Sequence, residues 1–322
     1  MARCFAGALI AALALLSGAA PSSAQYPTKY IRIVSPAPPG GGTDIIARGV
    51  QPILQNMLGQ PVIVENRGGA GGYIGAEFTA KSPADGYTMV VSGAFITITA
   101  SLHKVPGYNP RTDLVPVANF ASVPNMLVAG PRLKTNSVAE LIVEAKANPG
   151  KLNMGSNGVG TSLHLSGELF QLRSGVKFTH IAYRGWADAS AALTTGEVDL
   201  MFDNASTALP NVRAGKTRAL AVAGPVRHRA LPDVLTLAEA GVTEAEVISW
   251  FGLMAPAGVP ADVMAILDKA MGEIAKNPDF RKSIEDQGLA VTYLNSQDAT
   301  AFWIKEVDKW VAVIKAAGVK AE

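Results

Sequence analysis

The sequence lacks a second cysteine, a run of charge of one sign and, beyond its N-terminus, any long apolar segment. Its single cysteine, Cys4, precedes the N-terminal apolar segment, so the rest of the chain can form no disulfide. Charged residues make up only 17% of the chain and the formal net charge is +2, without a basic cluster that could bind nucleic acid. Stability must therefore come from burial of apolar surface, which 322 residues can supply, and we expect two lobes.

The N-terminus has the three parts of a cleavable secretory signal. Basic Arg3 is followed by an apolar segment, residues 5–16, and by the small residues Ser22-Ser23-Ala24. A membrane anchor is the alternative, but the apolar segment is shorter than the ~20 residues that span a bilayer. We therefore expect removal of residues 1–24 and export to the periplasm. Loss of Arg3 lowers Lys+Arg from 28 to 27 against 26 acidic residues, which leaves a charge of +1.

Strand-like and helix-like segments alternate along most of the chain, a pattern typical of an α/β fold with sheets covered on both faces. The first unit is a strand at 30–35 followed by a helix at 43–58, which Gly59 should end. Pro52 lies within this helix and should kink or split it. The C-terminal helix should pack against the first lobe.

Two long extended segments, 115–130 and 246–255, have no helix within them and predict crossings between the lobes. This divides the chain into a first lobe of residues 25–122 and 250–322, and a second lobe of residues 123–249.

Three glycine-rich loops each follow a predicted strand and precede a predicted helix: residues 38–44, 68–72 and 156–161. Without side chains, amide groups can converge on an anion, and the following helix adds roughly half a unit of positive charge. The alternative is a tight turn in which glycine only fits the backbone. Three such loops at strand ends favour an anion-binding site. Asp44 should cap its helix and hold a water or a polar ligand group.

Signatures of common enzymes are incomplete. Gly215-Lys216-Thr217 lacks the preceding glycine of a P-loop, since Pro210 stands there, and no loop completes a dinucleotide-binding fingerprint. A serine nucleophile elbow is absent. The histidines at 103, 164, 180 and 228 have no metal-ligand spacing; only His164, one turn after the third loop, is kept as a residue that could face a cleft. We therefore predict no catalytic residue, metal or cofactor.

Two aromatic residues, Phe95 and Trp186, follow predicted strand ends, and each is either part of the core or a lid over a ligand. Residues 183–185 and 203–206 follow strands of the second lobe and should edge a cleft. Arg184 either meets a second acidic group of a ligand or is solvated.

Many ordered motifs of the chain closely resemble the Bug family, the extracytoplasmic solute receptors of tripartite tricarboxylate transporters. The motifs are Ser35-Pro36-Ala37-Pro38-Pro39-Gly40-Gly41-Gly42-Thr43-Asp44, Glu65-Asn66-Arg67, Ala84-Asp85-Gly86-Tyr87-Thr88, Tyr183-Arg184-Gly185, Gly196-Glu197-Val198-Asp199 and Ala255-Pro256-Ala257-Gly258. The sequence departs from the family's usual pattern at residues 35–37, 93–97 and Trp186.

The resemblance implies a two-lobed fold of the periplasmic-binding-protein type II (Venus flytrap) class, each lobe a mixed sheet flanked by helices. It implies a monomer that binds a small organic carboxylate between its lobes and serves transporter subunits in the membrane; a receptor for a sensor kinase and an exported enzyme are the alternatives. Together with the cleft-edge residues, the predicted ligand-binding set is Ala37, Pro38, Gly41, Gly42, Thr43, Asp44, Phe95, Ser156, Gly158, Gly160, Thr161, Tyr183, Asp203 and Ser206.

Overall fold

The computed structural model describes residues 26–102 and 107–319. The predicted signal, residues 1–24, and His103 lie outside the described residues.

The described residues form ten strands and ten α-helices, which alternate except that β9 follows β8 and α9 follows α8 directly. The strands are β1 (Ile31–Ser35), β2 (Val62–Asn66), β3 (Thr88–Ser92), β4 (Leu114–Ala129), β5 (Asn153–Ser156), β6 (Thr179–Ala182), β7 (Leu200–Asn204), β8 (Arg218–Val222), β9 (Ile248–Pro256) and β10 (Ala290–Leu294). The helices are α1 (Gly42–Leu58), α2 (Tyr73–Ala80), α3 (Phe95–Leu102), α4 (Val138–Ala147), α5 (Ser162–Ser174), α6 (Trp186–Thr195), α7 (Ala205–Arg213), α8 (Ala261–Lys276), α9 (Pro278–Asp286) and α10 (Ser296–Ala317).

The strands form one mixed sheet in the order β2-β1-β3-β9-β4-β7-β5-β6, with β8 and β10 also paired to β4. The pairs β1–β2, β1–β3, β5–β6 and β5–β7 are parallel, whereas β9 runs antiparallel to β3 and to β4. The sheet is therefore parallel within each half and antiparallel where the long strands cross.

The long strand β4 belongs to both halves of the sheet. It pairs with β9 as far as Pro124 and with β7 from Asn125 onward. The extended segments predicted at 115–130 and 246–255 are thus continuous strands, β4 and β9. The exact lobe boundaries, 122/123 and 249/250, stay a prediction.

Helix α1 shows how local sequence fixes an element. Its buried face consists of Ile46, Ala47, Val50 and Leu54, and Gly59 ends the helix in the left-handed conformation, with φ of 67°. The helix continues through Pro52, so the predicted split is wrong, and the predicted kink stays a prediction. Pro52 is exposed, so water can satisfy the carbonyl whose donor it removes.

The C-terminal helix α10 contacts more than the first lobe. Trp303 and Val307 join an apolar cluster with β3 and α3, as predicted. Trp310 and Ile314 belong to a second cluster, which contains Ile98 of α3 as well as Leu165 and Leu169 of α5. At 22 residues the helix is about 33 Å long, which lets it reach both halves of the sheet. Within the described part of the chain, no helix is both long and apolar enough to cross a membrane.

Buried polar side chains join the crossing strands. Asn125, fully buried on β4, accepts hydrogen bonds from Asn204 (2.7 Å) and Ser249 (2.9 Å) and donates one to Ser166 (2.7 Å). Ser249 is also hydrogen-bonded to Ser162, at 2.8 Å. One amide therefore connects β4, β7, β9 and α5. The sequence showed only a polar residue within an apolar strand.

We expect the Asn125→Ala variant to lose about 2–4 kcal/mol of unfolding free energy, because two buried hydroxyls and the half-buried Asn204 amide lose a partner together. Chemical denaturation monitored by circular dichroism measures this loss. The matched control is Asn56→Ala on the exposed face of α1, where stability should be unchanged or slightly raised because alanine favours helix. Equal values for the two variants would contradict a joining role for Asn125.

Candidate ligand-binding cleft

The first glycine loop presents main-chain donors where β1 meets α1. Gly41 is the N-cap of α1 and has no side chain to accept hydrogen bonds. The amides of Gly42 and Thr43 have no carbonyl one turn earlier in the helix, so the helix itself cannot satisfy them. The Thr43 hydroxyl is held by Ser35, with the two Oγ atoms 3.2 Å apart. This helix start can therefore donate to an anion.

Asp44 holds this loop in shape and does not take the N-cap position expected for it. Its carboxylate accepts hydrogen bonds from the Gly40 amide (3.1 Å), Arg48 Nε (2.9 Å) and Asn66 Nδ2 (3.0 Å). Burial alone would raise the pKa of the Asp44 carboxyl, but the hydrogen bonds from Arg48, Asn66 and Gly40 together hold it below its ordinary value. The carboxylate is thus charged, and its oxygens already accept hydrogen bonds from within the protein.

Asn66 also supports the first glycine loop, and the sequence analysis missed it. Besides Asp44, its Nδ2 donates to the Ala37 carbonyl at 3.0 Å. Asn66 is the last residue of β2 and lies in the family motif Glu65-Asn66-Arg67. That position is the signal in the sequence that could have identified it. Asn66 ties the loop to the neighbouring strand.

The second glycine loop lies against the first. A Cβ placed on Gly68 would be 3.2 Å from Pro38 Cδ, and one on Gly72 would be 2.7 Å from the Phe95 ring. Four consecutive residues, 69–72, have positive φ, which explains why three of them are glycine. The loop thus turns tightly between Pro38 and Phe95.

The third glycine loop is closed by its own hydroxyls. Thr161 is the N-cap of α5: its Oγ1 accepts from the His164 amide (3.3 Å) and donates to the Gly158 carbonyl (2.9 Å). Ser156 Oγ accepts from the Gly158 amide at 3.2 Å. Because these predicted ligand residues serve the loop itself, its free donors are main-chain amides at the start of α5.

Two stacked histidines lie beneath this loop. The rings of His164 and His180 are 3.9 Å apart and inclined by 14°. His164 Nδ1 accepts from the Gly160 amide (3.2 Å), and His180 Nε2 is 2.7 Å from Ser156 Oγ. Burial, with a further contribution from His164, lowers the pKa of His180 to about 4. His164 is buried under the loop and supports it from below.

Asp203 is fully buried at the end of β7 and is held by three neighbours. Both carboxylate oxygens lie 3.1 Å from Trp186 Nε1, and Thr207 Oγ1 donates to Oδ1. Burial raises the pKa of Asp203 to about 6, although hydrogen bonds from Thr207, Trp186 and the Asn204 amide oppose the rise. Asp203 therefore positions Trp186, a role that the sequence could not reveal.

The raised pKa gives a testable pH dependence. The folded state holds the Asp203 proton up to about pH 6, but the unfolded chain releases it near its ordinary pKa of 3.8. Ionising a buried carboxyl costs stability, so this residue's contribution falls as pH rises from 4 to 6, by about 3 kcal/mol. In urea denaturation, the unfolding free energy of wild type relative to that of Asp203→Asn should fall across this pH interval. A difference independent of pH would contradict the buried, raised carboxyl.

Two predicted residues make contacts away from the loops. The Tyr183 hydroxyl donates to Glu197 at 2.8 Å, which leaves its main chain as the part near Gly158. Ser206 lies against Gly288, whose Cβ would be 3.2 Å from Ser206 Cα. Ligand contacts by these two residues stay a prediction.

Loops from the two halves of the sheet meet at a narrow seam. A Cβ on Gly158 would lie 3.9 Å from Gly71 Cα, and a Cβ on Gly185 would lie 3.4 Å from Pro38 Cγ. Gly71 and Pro38 come from the first half, Gly158 and Gly185 from the second. The seam brings together the glycine loops that the sequence marked out. Among the described residues, no cluster of three His, Asp or Glu side chains could hold a metal ion.

Comparison with known proteins identifies the family. A model of the tripartite tricarboxylate transporter family receptor matches residues 46–319. The chain belongs to this family. Protein BugT of Bordetella pertussis (strain Tohama I) is 38% identical over 305 residues, which cover 94% of each chain. The predicted resemblance is confirmed, and members of this family are solute-binding receptors.

Solved structures of receptors confirm the fold class. Rpa4515 of R. palustris, determined with adipate, is 34% identical, with a TM-score of 0.86 over 92% of this chain and 99% of that one. MatC from Rhodopseudomonas palustris, with bound malate, is 30% identical, with a TM-score of 0.83 over 90% of this chain and all of that one. The chain thus has the two-lobed, mixed α/β fold of type II periplasmic receptors.

Proposed function

We propose that this receptor captures a small organic carboxylate between its lobes in the periplasm and delivers it to the membrane subunits of a tripartite tricarboxylate transporter, without chemical change. The observation that carries the proposal is the seam, where a Cβ placed on Gly158 or Gly185 of one lobe would lie within 4 Å of an atom of the other. Two relatives of the same fold are described with dicarboxylates, adipate and malate.

The carboxylate is held by main-chain amides. In the first lobe these belong to Gly42 and Thr43 at the start of α1, with Ala37, Pro38 and Gly41 forming the loop around them. In the second lobe they belong to the start of α5, behind Gly158, Gly160 and Thr161. Two helix N-termini aimed at one anion favour its charge from both sides. Asp44 supports the first loop and keeps away from the ligand.

Such a site can reach the affinity that uptake requires. Micromolar binding needs about −8 kcal/mol, and charge-assisted hydrogen bonds contribute roughly 1.5–3 kcal/mol each. Three or four amides, together with apolar walls, supply this without an arginine partner.

Thermal unfolding with candidate acids tests the ligand class. Citrate, succinate, adipate, malate, glutamate, nicotinate and terephthalate are compared with their methyl esters, which lack the negative charge. An acid present at 100 times its Kd should stabilise the protein by about 2.7 kcal/mol and raise Tm by roughly 4 °C. If no acid raises Tm while sugars or peptides do, the proposed ligand class is wrong.

Two further measurements separate receptor, enzyme and sensor roles. Mass spectrometry of the stabilising acid after long incubation should recover it unchanged, because the proposed function makes and breaks no bond; turnover would establish an enzyme. Ligand-loaded protein should co-purify with transporter subunits from membranes more strongly than ligand-free protein, since the closed form docks. Retention by a sensor kinase in place of these subunits would reject delivery to a transporter.

A further inference from the structure

Trp186 differs from the other tryptophans of this protein in its exposure. Trp250, Trp303 and Trp310 are buried, with exposed fractions of 6%, 3% and 0%. Trp186 is only half-buried, at the first position of α6. A large apolar ring left in contact with solvent is available to a ligand.

Trp186 stands beside the seam. It follows Gly185 directly, and a Cβ on Gly185 would lie 3.4 Å from Pro38 of the opposite lobe. Pro38 also lies against the second glycine loop, where a Cβ on Gly68 would be 3.2 Å from its Cδ, and the ring of Phe95 lies against Gly72 of that loop. Trp186 therefore follows the residue that meets Pro38 across the seam, and Phe95 lies against the neighbouring loop of the first lobe.

The ring of Trp186 is fixed and its polar group is already used. An indole has a single hydrogen-bond donor, and Nε1 shares it between both oxygens of Asp203, each at 3.1 Å. Asp203 is buried and also accepts from Thr207. Neither the indole N–H nor the Asp203 carboxylate is available to a hydroxyl or an amino group of a ligand. Trp186 therefore presents only the apolar face of its ring.

We propose that Trp186 selects the carbon body of the ligand, and that it favours carboxylates with an apolar body, an aromatic ring or an unsubstituted methylene chain, over hydroxylated or amino-bearing acids. This inference rests on the proposed function. An apolar body gains from burial against the ring. A ligand hydroxyl there gives up its bonds to water without a replacement, which costs affinity.

Calorimetric titration of a matched pair of acids tests the selection. Adipate and 2-hydroxyadipate differ by one hydroxyl group, and wild type should bind adipate about 10-fold more tightly or better. In Trp186→Ala, the Kd for adipate should rise about 10-fold or more. The preference for adipate over 2-hydroxyadipate should fall to about 3-fold or less. Val143→Ala, at an exposed site on α4, should behave as wild type. If Trp186→Ala loses the same affinity for both acids, or if wild type binds the hydroxy acid more tightly than adipate, the inference is overturned.

The Trp186→Phe variant guards against a folding artefact. Phenylalanine keeps an apolar face but leaves Asp203 without the indole donor, so stability should fall while the preference for adipate is retained within about 3-fold. Loss of the preference in this folded variant would argue against an apolar wall.

Fluorescence gives an independent readout. Acrylamide should quench mainly Trp186, and saturating adipate, which does not absorb at these wavelengths, should protect it; Trp186→Phe should lack the quenchable component. If adipate raises Tm but leaves quenching unchanged, the ligand does not meet Trp186 and the inference fails. If no carboxylate raises Tm, the proposed function itself fails.

Discussion

Carboxylate binding should be lost in the Gly41→Val variant, with Kd raised at least about 100-fold and the fold retained. Gly41 has φ of −86° and ψ of 172°, which valine adopts readily. A Cβ at this position meets no atom closer than the Pro38 carbonyl oxygen, at 4.0 Å. The added methyl groups therefore occupy open space beside the first-turn amides and block an anion from them. Calorimetric titration with the acid that raises Tm most measures the loss.

The control for Gly41→Val must separate the loss of binding from the loss of a favourable N-cap. Replacing the N-cap glycine with valine should cost about 1 kcal/mol, or roughly 2 °C in Tm. Ala147→Val, at the exposed end of α4, carries a similar helix cost far from the seam and should bind as wild type. Full affinity in Gly41→Val would show that the loop is only a turn.

A Gly41→Ser variant isolates the amides themselves. Serine at an N-cap accepts hydrogen bonds from the first-turn amides, so stability should hold or rise by a few tenths of a kcal/mol while affinity falls. A stabilised variant with weaker binding has no explanation in misfolding.

The largest loss of stability is expected from Gly252→Ala, at the crossing of the long strands. Gly252 pairs with Ser92 of β3 and Asn119 of β4. A Cβ there would lie 2.3 Å from the Ala118 carbonyl oxygen, and 3.1 Å from Asn119 Cα. Both are main-chain atoms of a central strand and cannot move independently of the sheet. We expect a loss of about 3 kcal/mol or more in unfolding free energy.

The matched control makes the same chemical change without the clash. Gly272 lies inside α8, and its Cβ would meet the Tyr293 hydroxyl at 3.3 Å. Gly272→Ala should be neutral or raise stability by up to about 1 kcal/mol, because alanine favours helix. Urea denaturation of both variants decides the matter: a Gly252→Ala variant as stable as Gly272→Ala would mean that β4 and β9 do not approach as described.

Local patterns predicted the individual elements well. The first strand was expected at 30–35 and lies at Ile31–Ser35; the first helix was expected at 43–58 and lies at Gly42–Leu58. The sequence Ser137-x-x-Glu140 has the pattern of a capping box, and it begins a helix in which Ser137 Oγ accepts from the Glu140 amide at 3.2 Å. These features depend on residues a few positions apart, so the sequence contains the information directly.

Roles that depend on distant residues were missed or assigned differently. Asp44 was expected to hold a water or a ligand group, yet it accepts from Asn66, 22 positions away. Asp203 was placed among the ligand-binding residues, yet it anchors Trp186. In both cases the residue type was informative, but the partner that consumes its hydrogen bonds is unknown until the chain has folded.

The sequence by itself determined that this chain alternates strands and helices, places three glycine loops at strand ends and resembles a family of receptors. It could do so because strand periodicity, helix caps and glycine turns are short-range properties. Only the tertiary structure decided that Gly158 faces Gly71, that Asn125 joins four elements, and that Asp203 fixes the Trp186 ring. Those contacts join residues far apart in the chain, and they form only when the two long strands cross and bring both halves of the sheet together.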